Sequence, residues 1–395
     1  MPAPLRVLAI TNEFPLPLDR GGPVRFFGLA RALAEVHDVH MLALRRPSTT
    51  HDLVEELASV LGGPVEIFDP GGDPGGWARA VRRGVPPWIA AQHSPELELR
   101  AGELARRADV VAILDDFAAV YAPPLSPAAP VVCDKSNVMG FSAATPLPAG
   151  VGLRERAHRQ ASIHLSRSFE RSHLAPASAV VVTSEDEADR LASLYDRRAD
   201  AVVPSAVDIP EHPLEPAGQR AIGWLGTHEY DVNVEGLVRF VEEGWDQLGR
   251  DGFRLLVAGG SPPARVRELE SHPGGAILGY VERLSELFPQ LGAAVVPLWR
   301  GAGVKLKTLT FMAAGVPVAG TTVAMEGIQA EDGRHCLVAE EPAGLAEAAR
   351  SLVDDVSAAR RIGAEGRRLV AESYSWPAVG ARFREVVERT AIARS

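Results

Sequence analysis

The sequence contains very little cysteine and no long apolar run. Cys133 and Cys336 are the only cysteines among 395 residues, which is too few for a disulfide framework or a cysteine-based zinc site. No stretch approaches the roughly 18 apolar residues that a membrane-spanning helix needs, and the first ten residues lack the features of a secretory signal. We therefore expect a cytoplasmic protein with two buried thiols, for which membrane association is not favoured.

Lysine is also rare, although basic residues are common. Only three of the 41 basic residues are lysines, namely Lys135, Lys305 and Lys307. The 51 acidic residues give a net charge of -10, and the basic residues do not cluster, so the composition argues against nucleic acid as a partner. A lysine ammonium is a compact, rotatable charge that suits a diphosphate. The rarity of lysine therefore predicts that at least one of the three contacts a ligand. The alternative is that lysine stands at these positions by chance.

Short apolar runs of strand length alternate with longer amphipathic stretches along the whole chain. Such runs are typical of parallel strands that helices cover on both faces. The first set of runs spans 5–11, 39–44, 64–68, 110–114, 130–134, 179–184 and 201–204. The second set spans 221–226, 254–259, 276–280, 293–298, 316–321 and 335–339. The alternation predicts an α/β fold made of two Rossmann-like halves.

The boundary between the halves is predicted in residues 205–220, where SAVDIPEHPLEPAGQR has three prolines and no periodicity. We assign residues 1–208 to the first domain and 219–376 to the second. The amphipathic stretch SWPAVGARFREVVERTAIA follows the second set of strands, so we expect it to cross back and place 377–395 with the first domain.

Two glycine-rich turns precede predicted helices. Gly21 and Gly22 stand before Pro23, where free amides at the helix start attract anions; an ordinary turn is the alternative. The other turn follows the strand ending at 298 and consists of Arg300, Gly301, Ala302 and Gly303. The helix VKLKTLTFMAA then carries Lys305 and Lys307 in its first turns. Cations are unfavourable at the positive end of a helix dipole, so a bound phosphate would compensate; a surface helix with ordinary basic residues is the alternative.

The second half resembles a known family. The run GAGVKLKTLTFMAAGVPVAGTTVAMEGI, the later GRHCLVAEE and the closing YSW are similar to the C-terminal domain of GT-B nucleotide-sugar glycosyltransferases, of the retaining family 4 type (glycosyltransferases group 1). The GGP turn, TSEDEADRL, VPSAVD, GWLGTHEYDVNVEGL and LLVAGGSPP occur in the matching order. The resemblance covers most of the chain and is strongest over 220–376.

This resemblance implies two Rossmann-like domains that face each other across a cleft, with the donor nucleotide held by the second. Gly226 and Thr227 would lie near the phosphates, and Gly259 and Gly260 near the base. The amides of 301–305 with Lys305 or Lys307 would bind the diphosphate, and Glu326 would lie near the ribose or the sugar. The donor would be UDP-, GDP- or dTDP-linked, and the acceptor would be a hydroxyl of a small molecule or glycan.

The chain departs from the family in the segment SAVD (205–208) and at two further positions. Ala302 and Thr310 stand where many relatives carry a pair of glutamates. Loss of a charged hydrogen bond would weaken donor binding by about 1–3 kcal/mol, unless Glu326 takes over the role. A non-catalytic partner subunit and a nucleotide-sugar epimerase therefore remain alternatives to a glycosyltransferase.

Catalysis in retaining relatives is thought to use the donor's own phosphate, so the resemblance implies neither a carboxylate pair nor a cofactor. Neither His93 nor His228 belongs to a cluster with metal-ligand spacing, which favours metal independence. Polar residues end two strands of the first half, namely Asp115, Asp116, Asp134 and Lys135, where α/β folds place ligands. We predict catalytic roles for Asp116, Lys135 and Lys307; a helix cap or a salt bridge is the alternative for each strand-end residue.

Overall fold

The structure is a computed structural model that describes residues 3–71, 84–142, 152–301 and 303–393. The chain divides into two compact units. The first unit comprises residues 1–204 and 379–395, and the second comprises residues 205–378.

The first unit is built on a parallel sheet of seven strands. The strands are β1 (Arg6–Thr11), β2 (Asp38–Leu44), β3 (Val65–Phe68), β4 (Val110–Ile113), β5 (Val131–Lys135), β6 (Ala179–Val182) and β7 (Ala201–Val202). Their order is β3-β2-β1-β4-β5-β6-β7, so the direction of chain progression reverses between β1 and β4. Val7 of β1 pairs with Val39 of β2 on one side and with Val110 of β4 on the other.

Helices connect these strands. They are α1 (Gly21–Ala34), α2 (His51–Leu61), α3 (Pro87–Ala90), α4 (Pro95–Ala105), α5 (Ala122–Leu125), α6 (Met139–Ser142), α7 (Leu153–Leu174) and α8 (Glu185–Tyr195). The sequence sets several of their starts, because Ser94 and Ser184 each accept a hydrogen bond from a backbone amide in the first turn of α4 and α8.

The second unit repeats the plan with six parallel strands. They are β8 (Ala221–Leu225), β9 (Arg254–Ala258), β10 (Gly275–Gly279), β11 (Ala293–Val296), β12 (Val318–Gly320) and β13 (Leu337–Val338). The order β10-β9-β8-β11-β12-β13 reverses between β8 and β11. The helices are α9 (Asp231–Phe240), α10 (Asp246–Arg250), α11 (Ala264–Arg267), α12 (Leu284–Leu287), α13 (Leu306–Ala314), α14 (Thr322–Met325), α15 (Pro342–Asp354) and α16 (Val356–Ser373).

Both sheets lie in the apolar core, and the residues of β4, β8 and β11 are buried along their whole length. This burial explains why the strands are continuous apolar runs instead of alternating ones. All thirteen predicted runs coincide with strands, within two residues at either end. The predicted α/β fold with two Rossmann-like sheets is confirmed.

The last helix, α17 (Trp376–Ile392), belongs to the first unit from Val379 onward. Arg384 donates a hydrogen bond to the carbonyl oxygen of Ala32 at the end of α1 (2.9 Å) and also pairs with Glu35. The predicted return of the C-terminal segment to the first domain is confirmed.

Candidate functional site

The carboxyl edge of the second sheet carries most of the residues that the sequence analysis selected. The strand order reverses between β8 and β11, and α/β folds bind ligands at the carboxyl ends of strands beside such a reversal. Gly226 and Thr227 follow β8, while the loop with Gly301 and Gly303 leads from β11 to α13. Both of these loop glycines have positive φ angles, of 122° and 78°, which residues with a side chain rarely adopt.

Lys307 lies in the first turn of α13 and is partly buried. Its Nζ donates a hydrogen bond to Oδ1 of Asn233 (2.8 Å) and lies 4.7 Å from the centre of the Trp224 ring. Among the described residues, no carboxylate forms an ion pair with it. Burial, together with the neighbouring charge of Lys305, lowers the pKa of Lys307 to about 7. The ammonium therefore has a dipolar and an aromatic neighbour but no described counter-charge.

Gly226 packs directly against this ammonium and the Trp224 ring. A Cβ atom at this position would lie 2.8 Å from Nζ of Lys307 and 2.6 Å from the Trp224 ring, closer than such contacts allow. The absence of a side chain is therefore a requirement of the local packing.

Two ring nitrogens near the same strand end are buried without a partner. His228 is 7 % exposed and its ring stacks on that of Trp224, with centroids 5.5 Å apart. Nδ1 of His228 donates to the carbonyl oxygen of Gly260 (2.9 Å). In the described part of the chain, nothing hydrogen-bonds to Nε2 of His228 or to Nε1 of Trp224. Buried polar atoms are normally paired, so these two nitrogens indicate a place for a polar ligand.

Lys305 differs from Lys307 because it has a carboxylate partner. Its Nζ donates to the carbonyl oxygen of Gly303 (2.5 Å) and lies 3.2 Å from Oε2 of Glu326. The charge of Lys305 is therefore balanced within the protein. The same ion pair fixes the carboxylate of Glu326 next to the glycine loop.

The other donor-side predictions have simple local partners. Thr310 Oγ1 donates to the carbonyl oxygen of Leu306 one turn earlier (2.8 Å), and Arg300 pairs with Glu235. The carbonyl oxygen of Thr227 accepts from Nδ2 of Asn233 (2.8 Å).

Two further predicted positions complete this edge. A Cβ on Gly259 would clash with the carbonyl oxygen of Gly226 at 2.1 Å, so these two glycines lie in direct contact. Ala302 lies outside the described residues. The donor-binding roles of all these positions stay predictions.

In the first unit, Lys135 and Asp116 belong to a buried ionic cluster. Nζ of Lys135 lies 2.9 Å from Oδ1 of Asp116 and 3.0 Å from Oε1 of Glu170, and the Lys135 side chain is 1 % exposed. Burial lowers the pKa of Lys135, but the two carboxylates outweigh burial and raise the pKa above its ordinary value. Asp116 also accepts a hydrogen bond from the Ser136 amide (2.9 Å). The ion pair between Lys135 and Asp116 connects the carboxyl ends of β4 and β5. The catalytic roles of Asp116 and Lys135 stay predictions.

A second buried ion pair holds the start of the first unit. Arg25 of α1 forms two hydrogen bonds with the carboxylate of Asp134, of 2.7 and 2.6 Å, and also donates to the carbonyl oxygens of Val203 and Pro204. Such a fork-shaped pair is geometrically specific. It fixes α1, whose first residues are Gly21 and Gly22, at the carboxyl edge of the first sheet. The predicted anion contact of these two glycines stays a prediction.

Asn233 and Trp224 contact Lys307 but are not singled out by the sequence pattern. Asn233 lies in the first turn of α9, and Trp224 lies within the apolar run of β8, so neither position differs locally from ordinary helix or core residues. Their only sequence signal is their place in the segment GWLGTHEYDVNVEGL that carries the family resemblance.

The described residues lack both a cluster suited to a metal ion and a membrane-spanning helix. They contain no group of three or more histidine, cysteine, aspartate or glutamate side chains placed to hold a metal ion. None of their helices has the length and hydropathy required to span a lipid bilayer.

The comparisons with known proteins agree with the fold. Residues 219–355 match the family model "Glycosyl transferases group 1". Sucrose-phosphate synthase from Thermosynechococcus elongatus has a similar structure, with a TM-score of 0.71 and 16 % identity over 99 % of this chain and 100 % of that one. HepE from Anabaena, in complex with UDP and glucose, gives a TM-score of 0.69 and 12 % identity over 97 % and 99 % of the two chains.

A third similar structure is the lipopolysaccharide outer core galactosyltransferase WaaB, with a TM-score of 0.64 and 11 % identity over 99 % of this chain and 100 % of that chain. No curated protein sequence matches the chain. Residues 219–355 thus match a glycosyl transferases group 1 domain, and both the expected GT-B fold and the resemblance to GT-B glycosyltransferases are confirmed.

Proposed function

We propose that this glycosyltransferase moves a sugar from a nucleoside-diphosphate donor to a hydroxyl group, with retention of configuration and without a metal ion. The observation that carries the proposal is the environment of Lys307, an ammonium group at the carboxyl edge of the second sheet without a described carboxylate partner. An anion at Gly226 would lie beside it.

The energetics favour an anionic ligand at this position. Taking an ammonium out of water is costly unless it is paired, and the lowered pKa of Lys307 reports that cost. A diphosphate would restore the pKa and supply the missing counter-charge. The unpartnered ring nitrogens of His228 and Trp224 could share the same ligand oxygens.

The chemistry then follows from charge. As the bond between the anomeric carbon and the diphosphate breaks, negative charge grows on the diphosphate oxygens. A preorganised ammonium and helix-start amides stabilise that charge without reorganisation. Lys307 performs this role, while Lys305 and Glu326 together hold the loop in place.

UDP is the first donor nucleotide to test, because the similar HepE structure is one of a complex with UDP and glucose. Purified protein is incubated with UDP-glucose, UDP-galactose and GDP-mannose and a set of sugar alcohols and glycosides. Products are identified by mass spectrometry, and the anomeric configuration is read by proton NMR, with and without EDTA. Transfer that survives EDTA and keeps the donor configuration supports the proposal, whereas inversion or loss of transfer in EDTA contradicts it.

Variants connect the activity to the site. We expect Lys307→Met to raise the donor KM and lower kcat, and Arg265→Met, which removes an exposed cation of the same unit, to change neither. Equal loss in both variants would mean that general charge, not this ammonium, supports transfer.

A further inference from the structure

A cavity with a volume of about 520 Å³ lies in the first unit, at the amino edge of the sheet. The first residues of β1 and β2 line it, so it lies at the opposite end of these strands from their carboxyl ends. Its volume falls within the range of pockets that hold small molecules. Most of its wall is apolar and includes Val7, Leu8, Val39, Leu61, Leu104 and Ala108. The cavity therefore suits a ligand with an apolar body.

Backbone contacts fix the shape of this wall. Val7 of β1 pairs with Val39 of β2, and both residues are 2 % exposed. The amide of Met41 donates to the carbonyl oxygen of Pro64 in the loop before β3 (2.9 Å). A Cβ on Gly63 would lie 2.1 Å from the carbonyl oxygen of Val39, so this loop touches β2 directly. The cavity is therefore formed before a ligand enters.

Asp38 supplies a carboxylate to the cavity. It is exposed and stands beside Arg6 in the register of β1 and β2. The guanidinium of Arg6 is engaged elsewhere, because Nε and Nη2 donate to the carboxylate of Asp109 (3.2 and 2.7 Å). In the part of the chain that the structure describes, Asp38 has no ion-pair partner. Its charge is therefore available to a ligand.

The two histidines of the cavity each lie next to a carboxylate. Nδ1 of His37 accepts a hydrogen bond from the Leu5 amide (3.3 Å), and Nε2 lies 3.2 Å from Oε1 of Glu388 in α17. Nε2 of His40 lies 2.8 Å from Oε1 of Glu66. Both imidazoles are therefore engaged within the protein and leave the charged contact with a ligand to other residues.

Three helices end at this cavity and add negative potential. Ala34 lies in the last turn of α1, Leu61 in that of α2 and Leu104 in that of α4, and all three line the cavity. The C-terminal end of a helix carries a partial negative charge, which favours a cation nearby. The helix ends therefore act in the same sense as Asp38.

Arg107 opposes this potential at one end of the cavity. It is exposed, and no described residue forms an ion pair with it. It precedes β4, whereas Asp38 opens β2, and β1 lies between these two strands. Neighbouring strands are about 4.8 Å apart, so about 10 Å separates β2 from β4, which exceeds the screening length of about 8 Å at physiological salt. The end of the cavity at β2 is therefore the place for a positive charge.

We propose that this cavity binds a small primary amine with an apolar body. The ammonium group of the ligand pairs with Asp38, and its apolar body lies against Val39 and Leu61. A carboxylate of the same shape would meet Asp38 and the three helix ends and be repelled. The site belongs to the first unit alone and does not depend on the proposed sugar transfer.

The experiment uses the full chain at pH 7 with 2-phenylethylamine as the probe. Two molecules of the same shape serve for comparison, namely 2-phenylethanol, which is neutral, and 3-phenylpropionate, which is anionic. Leucine and valine methyl groups are labelled, and binding is followed by methyl NMR with and without saturating UDP. The signals of Leu61 and Leu104 are identified by their loss in Leu61→Ile and Leu104→Ile.

Two variants test the charges of the cavity. Asp38→Asn and Arg107→Met change exposed side chains, and thermal unfolding shows that each variant is folded. The matched controls are Asp52→Asn, in the first turn of α2 and so at the far end of that helix from the cavity, and Arg198→Met, which removes another exposed arginine of the first unit.

We expect the amine to shift the methyl signals of Leu61 and Leu104 and to bind more tightly than the alcohol, with the acid the weakest. An exposed ion pair changes affinity by up to about fivefold, so Asp38→Asn should weaken amine binding by about that factor and bring it level with the alcohol. Arg107→Met should tighten amine binding about twofold, because a like charge is removed. Asp52→Asn and Arg198→Met should match the wild type.

Three results overturn the inference. They are the absence of shifts at both leucines, an acid that binds as tightly as the amine, and an amine affinity that Asp38→Asn leaves unchanged. Failure of UDP to bind, or absence of sugar transfer, contradicts the proposed function and leaves the amine site standing.

Discussion

Replacing Lys307 by methionine tests the donor site in a single step, because methionine keeps an unbranched apolar side chain and removes the ammonium. A hydrogen bond to a charged group contributes about 1.5–3 kcal/mol, and about 1.4 kcal/mol corresponds to a tenfold change in Kd. The Kd of UDP should therefore rise about 10- to 150-fold. Calorimetric titration at pH 6, where Lys307 is protonated, measures it, with Arg265→Met as the control for removal of an exposed cation.

The same titration at pH 8 tests the protonation state. With a pKa of about 7, most of Lys307 is neutral at this pH in the free protein, and a bound diphosphate would favour the charged form. Binding of UDP should then take up close to one proton, which is read from the heats in buffers of different ionisation enthalpy. In Lys307→Met the uptake should vanish. A Kd within twofold of wild type together with an unchanged proton count would refute the reasoning.

Three further predictions concern packing and stability. Gly226→Ala should displace the ammonium of Lys307, because the added Cβ would lie too close to it. UDP binding should then weaken about tenfold, as it would on loss of about one charged hydrogen bond. Unchanged affinity would mean that the placement of this ammonium does not affect UDP binding. Lys135→Met should destabilise the first unit by about 3–5 kcal/mol in urea unfolding, because two buried carboxylates lose their partner; a change below about 1 kcal/mol would show that the cluster is solvated. In Lys307→Met the second unit should be more stable than in the wild type at pH 6, because the mutation removes a charge that is costly in the folded state. The gain should be on the order of 2 kcal/mol, less than the pKa shift alone implies, because the lysine is only partly buried. The gain should shrink toward pH 10: the folded-state pKa of about 7 lies below the ordinary 10.5, so the wild-type unfolding free energy rises between these values. A gain that does not vary with pH would contradict the lowered pKa.

Much of the fold follows from patterns that act locally. Continuous apolar runs such as 110–114 predict strands buried on both faces, and the structure places β4 there with all of its residues buried. Serine at position 184 predicts the start of α8, and its hydroxyl accepts from the Glu187 amide. The amphipathic stretch after the last strand predicts a helix that covers an apolar face elsewhere, and α17 joins the first unit from Val379 onward.

The contacts within the candidate site are of another kind. Lys307 and Asn233 are 74 residues apart, and their contact depends on how α9 and α13 pack at the sheet edge. Scarcity of lysine pointed to Lys307 but could not distinguish it from Lys305, and only the structure shows that Glu326 pairs with one and not the other. Long-range pairing of this kind has no periodic signature in the sequence.

The rarity of lysine also provides the most direct test of the donor site. With lysine labelled at the ε-carbon, the full chain gives three NMR signals, from Lys135, Lys305 and Lys307, and each reports the titration of its own ammonium group. The signal that is missing in Lys307→Met should titrate near pH 7 in the free protein and well above pH 8 when UDP is bound. A Lys307 signal that titrates at the ordinary pKa of lysine, or that does not respond to UDP, would contradict the account.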